Sequence, residues 1–316
     1  MDFFRDKSVM ITGAHGFLGK HLVRKLEERG AYEVLAPKRH ELNVLDWANM
    51  CMYVQDQTPD IIFHLAATVG GIGYNTLHPA TLIHDNSLMA INVVRAAHVA
   101  NAKLIGAGSV CAYPEYAPTP TVESNLYNGY PERSNGPYGN SKRLLLELQR
   151  AYYAEHYLIG AHLVSANLFG PGDNFDPASS HVIPALIVKI QNAIDNGHKN
   201  IIVWGTGQAS RDLLYVTDAA DAYLAAAEFI DDPEPVNIAS GSEAPIHFIV
   251  SKLIDIMGFD GELIYDKTKP DGQKRRCFQI HRMMELTNWE PKINLDEGLE
   301  LVVDWWRREI YEGVPF

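Results

Sequence analysis

The chain has 316 residues, 47% hydrophobic and 21% charged, the composition of a globular protein that buries a sizeable core. A net charge of −12 argues against a nucleic-acid partner, whose phosphates require a basic face. Three scattered cysteines, Cys51, Cys111 and Cys277, without CxxC spacing, suggest neither a disulfide framework nor a zinc site; no metal is expected.

In chain order, "SVMIT" (8–12) reads as a buried strand rather than a signal peptide core, because it runs straight into a glycine-rich turn. That turn, "GAHGFLG", places Gly13, Gly16 and Gly19 in a GxxGxxG pattern, and "KHLVRKLEERG" follows as an amphipathic helix stopped by Gly30. Glycines at a first strand–helix junction permit a tight turn, close backbone approach to a pyrophosphate, and close helix packing. "YEVLAP" is the next strand. Its end offers no acid for a ribose 2′-hydroxyl but two cations, Lys38 and Arg39, which favours NADP over NAD; a solvated basic loop would read the same way. Asp46 is placed either to meet the adenine or to cap a helix near 46–57. Then come a strand, "DIIFHLAA", a long helix near 79–100, and a strand, "KLIGAGS", ending at Ser109. A second long helix spans about 138–156, and "GAHLVSANLF" (160–169) is one more strand.

Strands alternating with helices predict an α/β protein, a Rossmann-type doubly wound, mostly parallel sheet with right-handed crossovers. After residue 167 the texture changes to loop, "GPGDNFDPASSHVIP", and shorter elements. This predicts a smaller, interleaved C-terminal substrate domain. The division is a dinucleotide-binding domain over 1–166, to which 213–238 returns, and a substrate domain over 167–316. No apolar run reaches membrane-spanning length, so no membrane partner is expected and a reduced, cytoplasmic location is.

Tyr138 and Lys142 are four apart on the second long helix and share a face. A free tyrosine, with pKa near 10, is a poor proton exchanger at neutral pH, and a neighbouring ammonium should lower it. With Ser109 at a strand end, the three fit hydride chemistry at a carbon bearing oxygen: Tyr138 exchanges the proton, Lys142 tunes it and holds the nicotinamide ribose, and Ser109 orients the carbonyl. Cys111, two residues on, by itself reads better as a small buried apolar residue.

This Ser–Tyr–Lys set resembles that of the extended short-chain dehydrogenase/reductase superfamily. Five blocks narrow the likeness: "HLAATVGGIGYNTLHPATLIHDN", "GSVCAYPEYAPTP", "NLFGPGDNFDPASSHVIPAL", "IIVWGTGQASRDLLYVTDAADA" and "KPDGQKRR". In these the chain is similar to the GDP-L-fucose synthases along nearly its whole length. The resemblance implies NADPH as cofactor, a GDP-linked 4-keto-6-deoxy sugar as substrate, and Cys111 with His181 as the acid–base pair for epimerisation. Thiol and imidazole suit that work, with free pKa values of about 8.5 and 6.5. It also implies Leu65 and Ala66 at the cofactor, and Asn167, Lys189, Trp204, Arg211 and Arg276 at the substrate. A homodimer built on the two long helices is expected, since each carries apolar residues on more than one side. The chain departs from the pattern at Ala14–His15, Thr68 and "NGPYGNSK", and in having Lys189 for a usual arginine and Arg276 for a usual lysine. These changes leave the sugar open. A redox-neutral epimerase with tightly held NAD is the alternative, distinguished by NAD⁺ that copurifies.

Overall fold

The computed structural model describes residues 2–176, 180–268 and 273–313; two of the blocks quoted above, in "DPAS" and "KPDG", cross positions outside that range. The elements run β1 (Ser8–Thr12), α1 (Phe17–Glu28), β2 (Glu33–Leu35), α2 (Trp47–Gln57), β3 (Ile61–His64), α3 (Ile72–Leu77), α4 (Pro79–Ala100), β4 (Lys103–Ser109), α5 (Gly136–His156) and β5 (Gly160–Ser165). Then follow β6 (Asn167–Phe169), α6 (Val182–Asp195), β7 (Asn200–Trp204), β8 (Ser210–Tyr215), α7 (Val216–Phe229), β9 (Pro235–Ile238), β10 (Glu243–Pro245), α8 (Ile246–Met257), β11 (Glu262–Asp266), α9 (His281–Thr287) and α10 (Leu295–Trp306).

Six strands form the main sheet in the order β2-β1-β3-β4-β5-β9, each neighbouring pair parallel. Such a sheet buries both faces, which is why its strands read as unbroken apolar runs. Along β1, Val9 and Ile11 join one core cluster, with Leu22 and Leu26 of α1 and Ala220 and Tyr223 of α7. Met10 points the other way, into a cluster with Val54 of α2, Val93 of α4 and Leu145 of α5. The chain winds from β1 outward to β2, then returns to β3 on β1's other side. The strand order therefore reverses between β1 and β3, and their C-terminal ends open the crevice where such sheets bind ligands.

Helix ends follow local chemistry. Asp46 caps α2, its Oδ1 accepting from Asn49 N at 3.2 Å, and Pro79 enters the first turn of α4. Asn101 closes α4 in the left-handed conformation, φ 53°.

The single strand expected over 160–169 is two. β5 stays in the main sheet, while β6 begins at Asn167 and pairs with β8 in a separate sheet of order β10-β8-β6. The apolar run is continuous across Ala166, so the change of sheet has no sequence mark of its own. β7 and β11 make a further parallel pair. Helices α6, α8 and α10 cover this region around Phe169, Ile187, Ile190, Leu253, Val302 and Trp306, a core separate from those of the main sheet. Within 213–238, β8 pairs in the small sheet, whereas α7 and β9 lie in the main layer. No helix among the described residues is long and apolar enough to cross a membrane.

Candidate active site

The glycine-rich turn leaves no room for side chains where a pyrophosphate would pass. Gly13 has φ +76°, and a Cβ there would lie 2.8 Å from Ala66 N, so the β1 turn and the Leu65–Ala66 backbone after β3 are in direct contact across the crevice. A Cβ on Gly19 would reach 2.2 Å from Gly13 O, so α1 packs hard against the turn. Gly16 is the N-cap of α1. It supplies no side-chain cap, and the first helical turn holds no acid, which leaves the α1 amides and helix dipole to an anion. These residues fit a dinucleotide.

His15 Nε2 meets Ala36 O at 3.0 Å, tying the turn to the end of β2. Just beyond, Lys38 and Arg39 are exposed. An acid does stand close by: Glu41, which the strand-end pattern does not single out. Its Oε2 accepts from Lys38 N at 2.7 Å, and that bond holds its carboxyl below the usual range. The carboxylate is turned onto backbone, and the two cations face solvent. Asp46 does the capping work described above.

Ser109 ends β4, and its Oγ accepts from Cys111 N at 3.2 Å, starting the short turn Val110–Ala112. On α5, Tyr138 and Lys142 are both buried. Lys142 Nζ donates to Ala107 O at 2.8 Å and lies 5.6 Å from the centre of the Tyr138 ring. The expected lowering of Tyr138 by Lys142 is not what this geometry produces. Burial pushes the phenol well above its ordinary value, Cys111 and Tyr223 add to that, and the Ser109 hydroxyl only opposes it. Burial also lowers Lys142 to about 8, with Cys111 acting against the fall. The result is a firmly protonated phenol beside a lysine that ionises near neutrality, a proton donor more than a base.

The remaining acid–base candidate lies in the second region. In the sheet register Ser109 pairs with Ser165, and Asn167 lies two residues beyond Ser165 just as Cys111 lies two beyond Ser109. Asn167 and His181 line one crevice with Phe169 and Leu213. The exposed His181 ring precedes α6, with Nδ1 3.7 Å from Oδ1 of Asp173, a carboxylate buried to 2% exposure. That oxygen also accepts from Asn174 N at 2.7 Å. The Asp173 carboxylate raises His181 above the ordinary imidazole value, against a smaller opposing desolvation from the protein around the solvent-open ring.

The remaining substrate candidates fall into two places. Arg276 Nη1 donates to Val110 O at 3.0 Å, so it reaches the Cys111 turn, and Nε meets Gln273 Oε1. Arg211 Nη1 donates to Gln273 O at 2.7 Å and to Ser210 O at 2.8 Å, which brings it beside the Arg276 segment. Lys189 and Trp204 come together at β7 instead: Lys189 Nζ donates to Ile202 O at 2.8 Å, and Trp204 ends the strand, 65% exposed. Sequence reasoning did not find Asp173, whose signal was an acid in the "GPGDNF" loop, or Arg143, next to Lys142. Among the described residues no group of three or more His, Cys, Asp or Glu could hold a metal.

A parallel sheet with a glycine cradle at its switch point and a Ser–Tyr–Lys group at its strand ends defines a dinucleotide-dependent oxidoreductase of the short-chain type. Residues 9–239 match the NAD dependent epimerase/dehydratase family, to which the chain belongs. It is 35% identical over 308 residues to GDP-L-fucose synthase 1 of Arabidopsis thaliana, covering 96% of this chain and 95% of that protein. Among solved structures, it resembles a GDP-6-OMe-4-keto-L-xylo-heptose reductase from C. jejuni, with TM-score 0.90, 25% identity, and coverage of 97% of this chain and 99% of that one. It likewise resembles a GDP-L-fucose synthetase from Naegleria fowleri bound to NADP, with TM-score 0.88, 25% identity, and coverage of 99% and 96%.

Proposed function

We propose that the chain is an NADPH-dependent epimerase–reductase that converts a 4-keto-6-deoxy nucleotide sugar, GDP-linked, to a GDP-6-deoxy-hexose such as GDP-L-fucose. The observation that carries this reading is the position of Cys111, a thiol two residues past Ser109 on a turn whose backbone abuts α5 at Gly139, one residue from Tyr138. A plain reductase needs no such group there. The names of the relatives support the GDP-sugar class.

A ketone at C4 acidifies the C–H bonds beside it. Cys111, as thiolate, takes one such proton, and His181, whose protonated form the Asp173 carboxylate favours, returns one to the opposite face. The thiol and neutral imidazole then exchange protons with solvent, with no change in redox state. A nicotinamide cofactor held by the Gly13–Gly19 turn and the Leu65–Ala66 backbone would supply the hydride for C4. Tyr138 gives its phenolic proton to the C4 oxygen, Ser109 orients that oxygen, and Lys142 anchors the strand end through Ala107 O. Incubation with GDP-4-keto-6-deoxy-mannose and NADPH should consume NADPH and give a GDP-6-deoxy-hexose inverted at C3 and C5. No consumption by folded protein overturns the reading.

The preference for NADP rests on Lys38 and Arg39. If Arg39 binds the 2′-phosphate, Arg39→Ala weakens NADPH roughly tenfold or more and leaves NADH nearly unchanged, since a charge-assisted bond of about 1.5–3 kcal/mol is lost only with NADPH. Equal weakening of both would remove the assignment.

For the assembly we propose a homodimer through α4 and α5, working in the cytoplasm. Leu82, Met89, Leu145 and Leu146 face the core, whereas Ile83, Ile91 and Val99 of α4 and Tyr153 of α5 stay exposed. Light scattering should give the mass of two chains. Asn167, His181, Arg211 and Arg276 support the proposal that the second region, 167–316 without its return to the main sheet, is the substrate domain.

A further inference from the structure

We propose that Arg143 is a positioning residue for Cys111, gripping the turn that carries the thiol by its backbone carbonyls; this rests on Cys111 being the epimerising group. The turn Val110–Ala112 is short, and the one local side-chain bond on it is Ser109 Oγ accepting from Cys111 N at its start. The surroundings do. Arg143 Nε donates to Ala112 O at 2.8 Å, directly after Cys111. Its Nη2 donates to Leu126 O at 2.6 Å and Gly129 O at 2.8 Å, so the same guanidinium pins the segment that runs outside the turn. Tyr127 lies against it, with the guanidinium carbon 5.3 Å from the ring centre.

These three bonds all go to carbonyls, which is the use of a planar fork with fixed donor directions and not of a mobile point charge. Its place in the sequence adds to the argument. Lys142 and Arg143 are neighbours on α5, and they take the two ends of one stretch: Lys142 holds Ala107 O and Arg143 holds Ala112 O. Between those anchors stand Ser109 and Cys111. Cys111 O faces α5 at Gly139, where a Cβ would come within 2.3 Å of it. One helix therefore sets the hydride-transfer pair and the thiol to a common frame. Removing Arg143 frees the Ala112 end while leaving Ser109, Tyr138 and Lys142 in place.

Cys111 is partly exposed, so its reactivity is measurable without any substrate. The experiment is iodoacetamide alkylation of the full chain across pH, read by peptide mapping, with partly exposed Cys51 as internal control. In Arg143→Ala the Cys111 rate should change at least threefold, with Cys51 unchanged. Arg143→Lys should fall between, since it keeps the charge and loses the fork. Should Arg143→Ala fail to fold, Arg143→Lys against wild type carries the comparison. A lowered melting temperature with Cys111 alkylation as in wild type would mean that Arg143 is only a staple for the 126–129 segment, and the proposal falls. Solvent-deuterium incorporation into the 4-keto sugar is then measured on the same variants. A kcat loss with KM held completes the case. If alkylation moves and exchange does not, the positioning stands and the acid–base role of Cys111 is what fails.

Discussion

Cys111 and His181, the two groups assigned to the removal and return of a proton in epimerisation, are held in opposite ways. The Cys111 turn is fixed from several directions: Ser109 Oγ on its amide, Arg276 on Val110 O, Arg143 on Ala112 O, and Tyr113 just after it, whose hydroxyl donates to Asn237 Oδ1 at 2.6 Å in the core. His181 stands exposed ahead of α6, its side chain making no helix-cap bond, and its ion-pair partner is the Asp173 carboxylate at 3.7 Å. One wall is defined by geometry, the other by charge. A base that must meet a particular C–H bond needs a fixed position, whereas an acid that must be protonated when substrate arrives needs a fixed charge state. The contrast predicts that the Cys111 side is sensitive to small displacements and the His181 side to the protonation of its ring.

The largest effect tests the wall itself. Cys111→Ser should lower solvent-deuterium incorporation at the epimerised carbons on the order of a thousandfold, within the range of general acid–base catalysis, and leave NADPH affinity unchanged. Tyr138→Phe should do the reverse, with exchange surviving and NADPH oxidation lost. Equal loss of both steps in either variant would dissolve the division between thiol and phenol.

A single methyl sharpens the point. Gly139 lies inside α5, where alanine is intrinsically better by about 0.5–1 kcal/mol. A Cβ at this position, however, meets Cys111 O at 2.3 Å, and backbone has to move. Overpacking of this kind costs about 1–3 kcal/mol, so the clash outweighs the propensity gain. Gly139→Ala should therefore lower the melting temperature. It should also cut exchange roughly a hundredfold, the cost of an ångström's misplacement at a reacting group. A variant more stable than wild type, with exchange intact, would show that the turn is not rigid.

The two walls were also unequally legible in the sequence. The strand "KLIGAGS" and the helix over 79–100 match β4 and α4 residue for residue, because buried runs and end residues such as Pro79 and Asn101 are local signals. Ser109, Tyr138 and Lys142 come from a spacing of four on a helix and a strand end, which local pattern also carries. Arg143 does not, because the carbonyls it holds lie 31, 17 and 14 residues away, and no periodicity encodes such a contact. The break between β5 and β6 was missed for a related reason, since both pieces are apolar and only tertiary pairing separates them. Asp173 sits in a loop of Gly, Pro, Asn and Asp, where an acid is ordinary; its burial is what marks it out.

Asp173 provides the smallest effect and the sharpest test of the second wall. Its carboxylate raises His181 above the usual 6.5, so the imidazolium persists past that pH and is lost only as pH climbs through the raised value. Stability from the ion pair follows the same sign: present in full below 6.5, lost above the folded value. Asp173→Asn keeps the size of the side chain and removes the charge. The ring then deprotonates at lower pH, and the alkaline limb of the epimerisation profile should move down. At a fixed pH above that limb, every full pH unit by which the limb falls removes about tenfold of the protonated acid. Below it, where the ring is protonated with or without Asp173, the variant should approach wild-type exchange. The comparison is made with His181→Asn, which should lose the inverted product at every pH because no acid remains on the opposite face. An Asp173→Asn enzyme equally impaired across the whole range would mean that Asp173 places the ring and does not charge it. The two walls would then be held by the same means.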